Sequence, residues 1–133
     1  MPSSITLYRP KDFIRLTETG EIDLERSKEI IHQLALAANF HEAHNIMIDL
    51  RRSTEHHTIG DHMELALELA RYRSAFSGKI VFLVPNDPER LARAKEFLAC
   101  LDITGYRFQA AVFTTFENGI DWLAEEDTVQ LSS

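Results

Sequence analysis

Two continuously apolar runs, at 45–50 and 79–84, dominate the pattern of hydrophobic and polar positions along the chain. They do not alternate with polar residues, which is typical of strands in a parallel sheet that is covered on both faces. Shorter segments near both ends have the composition of further strands, and Pro10 marks a turn between the first two. The predicted strands are 4–8, 12–17, 45–50, 79–84 and 106–113.

Apolar residues at helical spacing lie between and after these strands and predict helices. The segment TGEID is expected to end the second strand, and Asp23 is expected to cap the helix that follows. Asp87, which precedes a proline, has the residue type of another N-cap. Thr114 and Glu117 match the capping box of a last helix. The predicted helices are about 24–39, 60–76, 88–102 and 115–126.

The resulting order of elements is β-β-α-β-α-β-α-β-α. Alternating strands and helices favour an α/β fold with a mixed, mostly parallel five-stranded sheet and four helices. The first two strands are expected to pair antiparallel. We expect one domain over residues 1–126 and a frayed tail over 127–133.

Composition excludes several classes of partner. The chain has 133 residues and a formal net charge of −7, without a basic stripe, which argues against binding to nucleic acid. No apolar run approaches the roughly 20 residues that span a bilayer, and no secretory signal precedes the first strand, so no stable membrane insertion is expected. The single cysteine, Cys100, fits a reducing compartment, and we expect a cytoplasmic protein.

Three segments resemble those of a known family. TGEIDLERSKEI at 19–30 resembles the segment that leads into the first helix of STAS domains. NIMIDLRR at 45–52 resembles their strand that ends in Asp-Leu, and FENGIDWLAEE at 116–126 resembles their closing helix. With the order of elements, these segments make the whole chain similar to the STAS domain superfamily. The SpoIIAA-like branch, which is also compared with CRAL-TRIO lipid-binding domains, is the most similar part of it.

The resemblance implies a place for a regulatory switch. In anti-anti-sigma factors of this family, a serine after the Asp-Leu strand is phosphorylated by a partner kinase, and this changes partner binding. HTIG at 57–60 corresponds to that segment, so Thr58 is the candidate phospho-switch and Gly60 corresponds to the family's glycine. The chain departs from the family at His57, which stands where the family has an aspartate.

Thr58 also has a purely structural interpretation. With Asp61 three residues later, it has the spacing of an N-cap for the helix that follows. The two interpretations are compatible, because a phosphate at a helix N-terminus faces free N–H groups and the positive end of the helix dipole. Arg51 and Arg52 could pair with such a phosphate.

Most of the histidines fall in one part of the chain, which raises the question of a metal site. They are His41, His44, His56, His57 and His62. Their spacing matches no zinc signature, so we expect loop or surface histidines and no metal or cofactor. A pH-sensitive loop remains an alternative, because imidazoles titrate near neutrality.

Polar residues follow several of the predicted strands, where ligands bind in open α/β sheets. They are Asp49, Arg51, Asn86, Asp87 and Thr114. A small polar ligand or a partner loop could use them, although each is also an ordinary cap or turn residue. No nucleotide-binding or nucleophile-elbow motif is present, and Cys100 has the setting of a buried hydrophobe. We therefore predict no catalytic residue and no enzyme.

The helix predicted at 60–76 has an unusually broad apolar surface. One stripe combines Leu65, Leu69, Tyr72 and Phe76. This surface is either a wide core face or a site for a second subunit or an apolar ligand.

The favoured function is a STAS-like regulatory module that binds a protein partner, or a second copy of itself, through the loop 51–62 and the following helix. The alternative is a carrier or sensor of a small apolar, lipid-like ligand, with a cavity lined by residues such as Leu65, Leu69, Phe76 and Phe82. A third class, an enzyme using Asp49, Arg51 and a loop histidine, would need a well-formed cleft.

Overall fold

The computed structural model describes residues 4–8, 13–41 and 45–125. The strands are β1 (Ser4–Tyr8), β2 (Phe13–Glu21), β3 (Asn45–Thr54), β4 (Lys79–Leu83) and β5 (Gln109–Phe113). The α-helices are α1 (Leu24–His41), α2 (Ile59–Arg71), α3 (Pro88–Ile103) and α4 (Phe116–Ala124), and a 3-10 helix spans Arg73–Phe76.

In these residues the strands form one sheet in the order β1-β2-β3-β4-β5. Strand β1 pairs antiparallel with β2, whereas β2, β3, β4 and β5 run parallel to one another. The predicted α/β class, the mixed and mostly parallel sheet, and the four helices are therefore confirmed. The apolar runs at 45–50 and 79–84 lie in β3 and β4 at its centre, where both faces are covered.

Each face of the sheet has its own core. Ile46 and Ile48 of β3 belong to the larger core, which the sheet shares with α1, α2 and α3. Met47 lies between them on the opposite face and belongs to a smaller core with α4. Helix α4 approaches the sheet closely at Gly119, where an added Cβ would lie 3.1 Å from side-chain atoms of Met47, Val81 and Leu83. Any larger residue there would require these side chains to move by a few tenths of an ångström.

A bulge in β3 changes which face its side chains occupy. Thr17 pairs with Asp49 and Thr19 pairs with Arg52, so β3 uses one residue more than β2 over this stretch. An extra residue reverses the alternation of side chains along a strand. Ser53, which follows the bulge, consequently faces the side of the sheet that carries α3.

Two strands are longer than predicted. Strand β2 continues through Glu21, so TGEID does not end it at Thr19, and β3 continues to Thr54. The reason is mutual pairing: Gly20 pairs with Ser53 and Glu21 with Thr54, which single-sequence patterns do not show. Gly20 has a φ of 83°, a conformation that glycine adopts without strain. The predicted loop 51–62 therefore reduces to residues 55–58 between β3 and α2.

The helix ends agree with the predictions in part. Asp23, Thr58 and Asp87 each cap a helix, as predicted. The helix expected at 60–76 stops at Arg71 and is followed by the 3-10 helix, because the Tyr72 N–H bonds back to the last-turn carbonyls. The cap of α4 is Thr115, which accepts from the Asn118 N–H, and not Thr114. Predictions for Pro10, His44 and the tail lie outside the described residues.

Candidate functional site

A pocket of about 110 Å³ opens between α1, α2, α3 and the ends of β3 and β4. Most of its lining is apolar, because three amphipathic helices and the sheet bring their core faces together there. The apolar lining residues are Ile22, Ile30, Ile31, Ile48, Leu50, Leu65, Phe82, Val84, Ala94 and Phe97. The polar ones are Ser27, Glu55, His57, His62, Arg90 and Arg93.

The short β3–α2 connection supplies the centre of the polar wall. The Glu55 carboxylate accepts from the His57 backbone N–H at 2.7 Å, and the same oxygen lies 2.9 Å from His57 Nδ1. The other ring nitrogen, Nε2, lies 3.1 Å from the Ser27 hydroxyl on α1. His57 is buried, so these contacts hold its ring in one orientation.

Two arginines of α3 surround the same carboxylate. Arg90 donates to the Ser53 carbonyl and, at 3.2 Å, to the Ser53 hydroxyl. Arg93 donates to the His57 carbonyl at 2.9 Å. Their guanidinium nitrogens lie 3.9 and 3.6 Å from Glu55 carboxylate oxygens. The bulge in β3 makes this cluster possible, because it turns Ser53 toward α3.

The charges within the cluster are mutually dependent. Burial favours the neutral form of Glu55, but hydrogen bonds from His57 and the charge of Arg93 outweigh it and lower the pKa of Glu55 to about 2. Burial lowers the pKa of Arg90 from its usual range, and Glu55 and Asp87 oppose that change. Glu55 is therefore an ionised carboxylate that accepts hydrogen bonds and donates none.

A second buried histidine extends the wall. The His62 ring stacks on the His57 ring, with centroids 5.8 Å apart and planes 15° apart. Its Nδ1 lies 2.7 Å from the Glu96 carboxylate, and its ring meets Phe97 edge-on. The histidines of the predicted junction therefore differ in role: His57 and His62 are buried in the wall, whereas His56 is exposed.

The predicted crevice residues do not all converge. Asp49 accepts from Arg51 at 2.9 and 2.8 Å and from Arg15 at 2.7 Å, on the face of the sheet that carries α4. Burial favours the neutral acid, but these bonds lower the pKa of Asp49 to about 2. Arg15 also lies over the Phe116 ring at 4.7 Å. This cluster is separate from the pocket.

The remaining crevice residues serve the local structure. Asp87 accepts from the Arg90 N–H as the cap of α3, and it is exposed, as is Asn86. Thr114 directly precedes the cap of α4. Of the predicted crevice residues, the structure therefore brings only Asp49 and Arg51 into contact, where they form an ion pair.

The surface around Thr58 is exposed at Arg52, Thr58, Ile59 and Gly60. The Thr58 hydroxyl accepts from the Asp61 N–H at 3.0 Å, and the Asp61 carboxylate accepts from the Thr58 N–H at 3.0 Å, which completes a capping box. Arg51 forms an ion pair with Asp49, so it would have to leave that carboxylate before it could pair with a phosphate at Thr58.

The apolar stripe of α2 is mostly core, which favours the wide core face among its two interpretations. Leu65, Leu69 and Phe76 are buried, with Leu69 only 2% exposed. Tyr72 is half-buried, and its hydroxyl lies 3.1 Å from His32 Nδ1. Of the residues expected to line an apolar cavity, Leu65 and Phe82 line the pocket, whereas Leu69 and Phe76 pack in the core beneath it.

Four polar residues of the pocket were not predicted from the sequence: Ser27, Glu55, Arg90 and Arg93. They belong to α1, the β3–α2 connection and α3, and no local motif joins them. The spacing of Arg90 and Arg93 on one helix face is the only sequence signal that could have drawn attention to them.

Within residues 4–8, 13–41 and 45–125, no three or more His, Cys, Asp or Glu side chains are grouped so as to hold a metal ion. The helices of this part of the chain are all too short or too polar to cross a membrane.

The chain was compared with known proteins. No protein-family model matches it, and no curated protein matches it either. Solved structures do match: the unphosphorylated anti-sigma factor antagonist SpoIIAA has 15% identity and a TM-score of 0.55, covering 93% of this chain and 99% of that one. The phosphorylated form of SpoIIAA, a Bacillus cell fate determinant, has 17% identity and a TM-score of 0.55, covering 91% and 98%.

A third match is an uncharacterized protein of the DUF3478 family from Shewanella loihica PV-4, itself described as having a SpoIIAA-like fold. It has 13% identity and a TM-score of 0.56, and the alignment covers 92% of each chain. At such identities the likeness concerns the fold alone. The resemblance that the sequence segments indicated is confirmed at this level, and the chain has a SpoIIAA-like fold.

Proposed function

We propose that this chain is a regulatory module that binds a protein partner through the surface at the start of α2. The observation that carries the proposal is the exposure of Ile59, which is 65% exposed and directly follows the exposed Thr58. A large apolar side chain in the first turn of a helix is a suitable contact for a partner. Two chains of the same fold are forms of an anti-sigma factor antagonist, one phosphorylated, which supports a regulatory role.

Thr58 is the proposed switch within this surface. A phosphate on its hydroxyl would meet the free N–H groups at the start of α2, which stabilise negative charge. It would also meet the Asp61 carboxylate, now bonded to the Thr58 N–H, and repel it. Phosphorylation would therefore replace the hydrogen bonds between Thr58 and Asp61 with bonds from the helix N–H groups to the phosphate. It would also add negative charge beside Ile59.

The surface is tested by comparing two exposed apolar positions of α2. Ile59→Asp is expected to abolish capture of the partner from a lysate of the source cell, whereas Leu67→Asp, which alters a side chain 54% exposed, is expected to retain it. Captured proteins are identified by mass spectrometry, and sedimentation shows whether the partner is a second copy. Equal capture by both variants would contradict the proposed surface, and capture unaffected by Thr58→Asp would contradict the switch.

The pocket favours a second candidate function, binding of a small apolar ligand. It presents apolar side chains from three helices and the sheet, with polar groups along one wall.

Ala94→Leu should fill the pocket and abolish the rise in melting temperature that short-chain fatty acids give to the wild type. A ligand at 100 times its Kd stabilises by about 2.7 kcal/mol. Ala99→Leu, at an exposed position of the same helix, is the control. No rise for the wild type, or an equal rise for both variants, would contradict this function.

A further inference from the structure

Ser27, His57 and Glu55 form a continuous hydrogen-bonded chain along the pocket wall. The Ser27 hydroxyl lies 3.1 Å from His57 Nε2, and His57 Nδ1 lies 2.9 Å from the Glu55 carboxylate. When a hydroxyl, an imidazole and a carboxylate are linked in this order and at these distances, they form the arrangement that activates a serine for nucleophilic attack. Two separate parts of the chain supply it: Ser27 lies in α1, and Glu55 and His57 lie in the β3–α2 connection.

The direction of the hydrogen bonds follows from the charges. Glu55 is ionised and can only accept, so His57 Nδ1 carries a proton and donates it. In the neutral ring Nε2 is then an acceptor, and the Ser27 hydroxyl donates to it. The second bond from Glu55, to the His57 backbone N–H at 2.7 Å, fixes the carboxylate relative to the ring. When the ring is neutral, His57 therefore has the tautomer that a general base requires.

Ser27 is not in the usual situation of a helical serine. Serine side chains in helices commonly bond to the carbonyl four residues earlier or point into solvent. The Ser27 hydroxyl instead contacts a side chain 30 residues away, and it lines an apolar pocket. Ser27 is half-buried, so a small molecule in the pocket can reach it.

We propose that the chain hydrolyses esters of short, apolar carboxylic acids, with Ser27 as the nucleophile. His57 is the general base, and Glu55 is a positioning residue. The apolar lining would receive the acyl group, and Arg90 and Arg93, which also line the pocket, would supply positive charge to stabilise the negative oxygen of the intermediate. This activity goes beyond the partner binding proposed above and does not depend on it, and it departs from the expectation, drawn from sequence, that the chain is no enzyme.

The reaction balances with water as the second substrate. Ser27 Oγ forms a bond to the ester carbonyl carbon while its proton passes to His57 Nε2. The bond from that carbon to the alcohol oxygen breaks, and the alcohol leaves with the proton from His57. Water then attacks the acyl-serine and gives a proton to His57, the bond to Ser27 Oγ breaks, and Ser27 regains its proton as the free acid leaves.

The test combines labelling with turnover on the purified full chain. A fluorophosphonate is expected to add one phosphonyl group to the wild type, located on Ser27 by peptide mass spectrometry. Hydrolysis of p-nitrophenyl butyrate is expected to fall at least about 10²-fold in Ser27→Ala and in His57→Gln. Ser74→Ala removes an exposed serine outside the pocket and should keep both label and rate. In Glu55→Gln we expect a lower kcat with KM nearly unchanged, because the ring loses its orientation while the pocket remains.

The controls separate this chemistry from a structural role. Each variant is first shown to be folded by circular dichroism, and rates are compared below its melting temperature. A wild-type chain without label on Ser27, or a folded Ser27→Ala variant with undiminished hydrolysis, overturns the proposal. Neither result would affect capture of a partner through Ile59, so the two proposals fail independently.

Discussion

Arg26→Ala is expected to lower the free energy of unfolding by about 3–5 kcal/mol, because it removes a bidentate, oppositely charged partner of a buried carboxylate. Glu18 of β2 is 1% exposed, and its two oxygens accept from Arg26 Nε at 2.8 Å and from Nη2 at 3.1 Å. The hydrogen bond with Glu18 raises the pKa of Arg26, against the smaller effect of burial. Without the guanidinium, a buried charge loses its bidentate partner. Urea unfolding at pH 7 measures the loss.

Arg71→Ala is the matched control for this substitution. Arg71 is also a helical arginine near a glutamate, but its Nε lies 3.8 Å from Glu68 and its side chain is 71% exposed. Exposed pairs of this kind contribute between zero and about 1 kcal/mol. Losses of similar size in Arg26→Ala and Arg71→Ala would show that the Glu18 pair does not stabilise the fold in the way its geometry indicates.

Glu55→Gln is expected to cause the second largest loss in the free energy of unfolding, and the size of this loss should depend on pH. The pKa of Glu55 is lowered from 4.5 to about 2 in the folded chain, so its ionisation favours folding. That contribution, about 3 kcal/mol, is fully present above roughly pH 5 and is lost as the pH falls toward 2. We expect Glu55→Gln to be less stable at pH 7 and to lose less stability on acidification than the wild type does.

Chemical unfolding at a series of pH values measures this effect. Glu64→Gln serves as the control, because Glu64 is 53% exposed and its only described ion pair, with Lys28, is 3.3 Å long. Its stability should follow the wild-type profile. Asp49, whose pKa is also near 2, remains in both variants and should leave a residual acid dependence. Parallel profiles for Glu55→Gln and the wild type would contradict the ionised, hydrogen-bonded state of Glu55.

The central part of the fold could be predicted because it depends on local patterns. The continuous apolar runs identified β3 and β4 as covered parallel strands, and the N-caps Asp23, Thr58 and Asp87 marked where helices begin. The strand ends could not be predicted. Residues 19–21 have the composition of a turn, but they belong to β2 because β3 pairs with them, and the bulge appears only when both strands are aligned.

The site was harder to predict for the same physical reason. Ser27, Glu55 and Arg93 are ordinary surface types in the sequence, and only tertiary packing brings them to one wall. The stripe through Leu69 has two interpretations from sequence alone, because periodicity shows that a face is apolar but not what covers it. Here α1 and α3 cover it. His57 is prominent in the sequence as well, but its place in the pocket wall depends on contacts that no spacing shows.

Because of the extra residue in β3, this one strand contributes polar side chains to two separate clusters, one on each face of the sheet. Before the bulge, the side chains of Asp49 and Arg51 face α4; after it, Ser53 faces α3 and Glu55 enters the pocket wall. Substitutions could therefore remodel either side without disturbing the other during evolution. Loss of a single codon within the bulge would be far more disruptive. Restored alternation would turn Ser53 and Glu55 away from the arginines of α3 and dismantle the pocket wall in one mutational step.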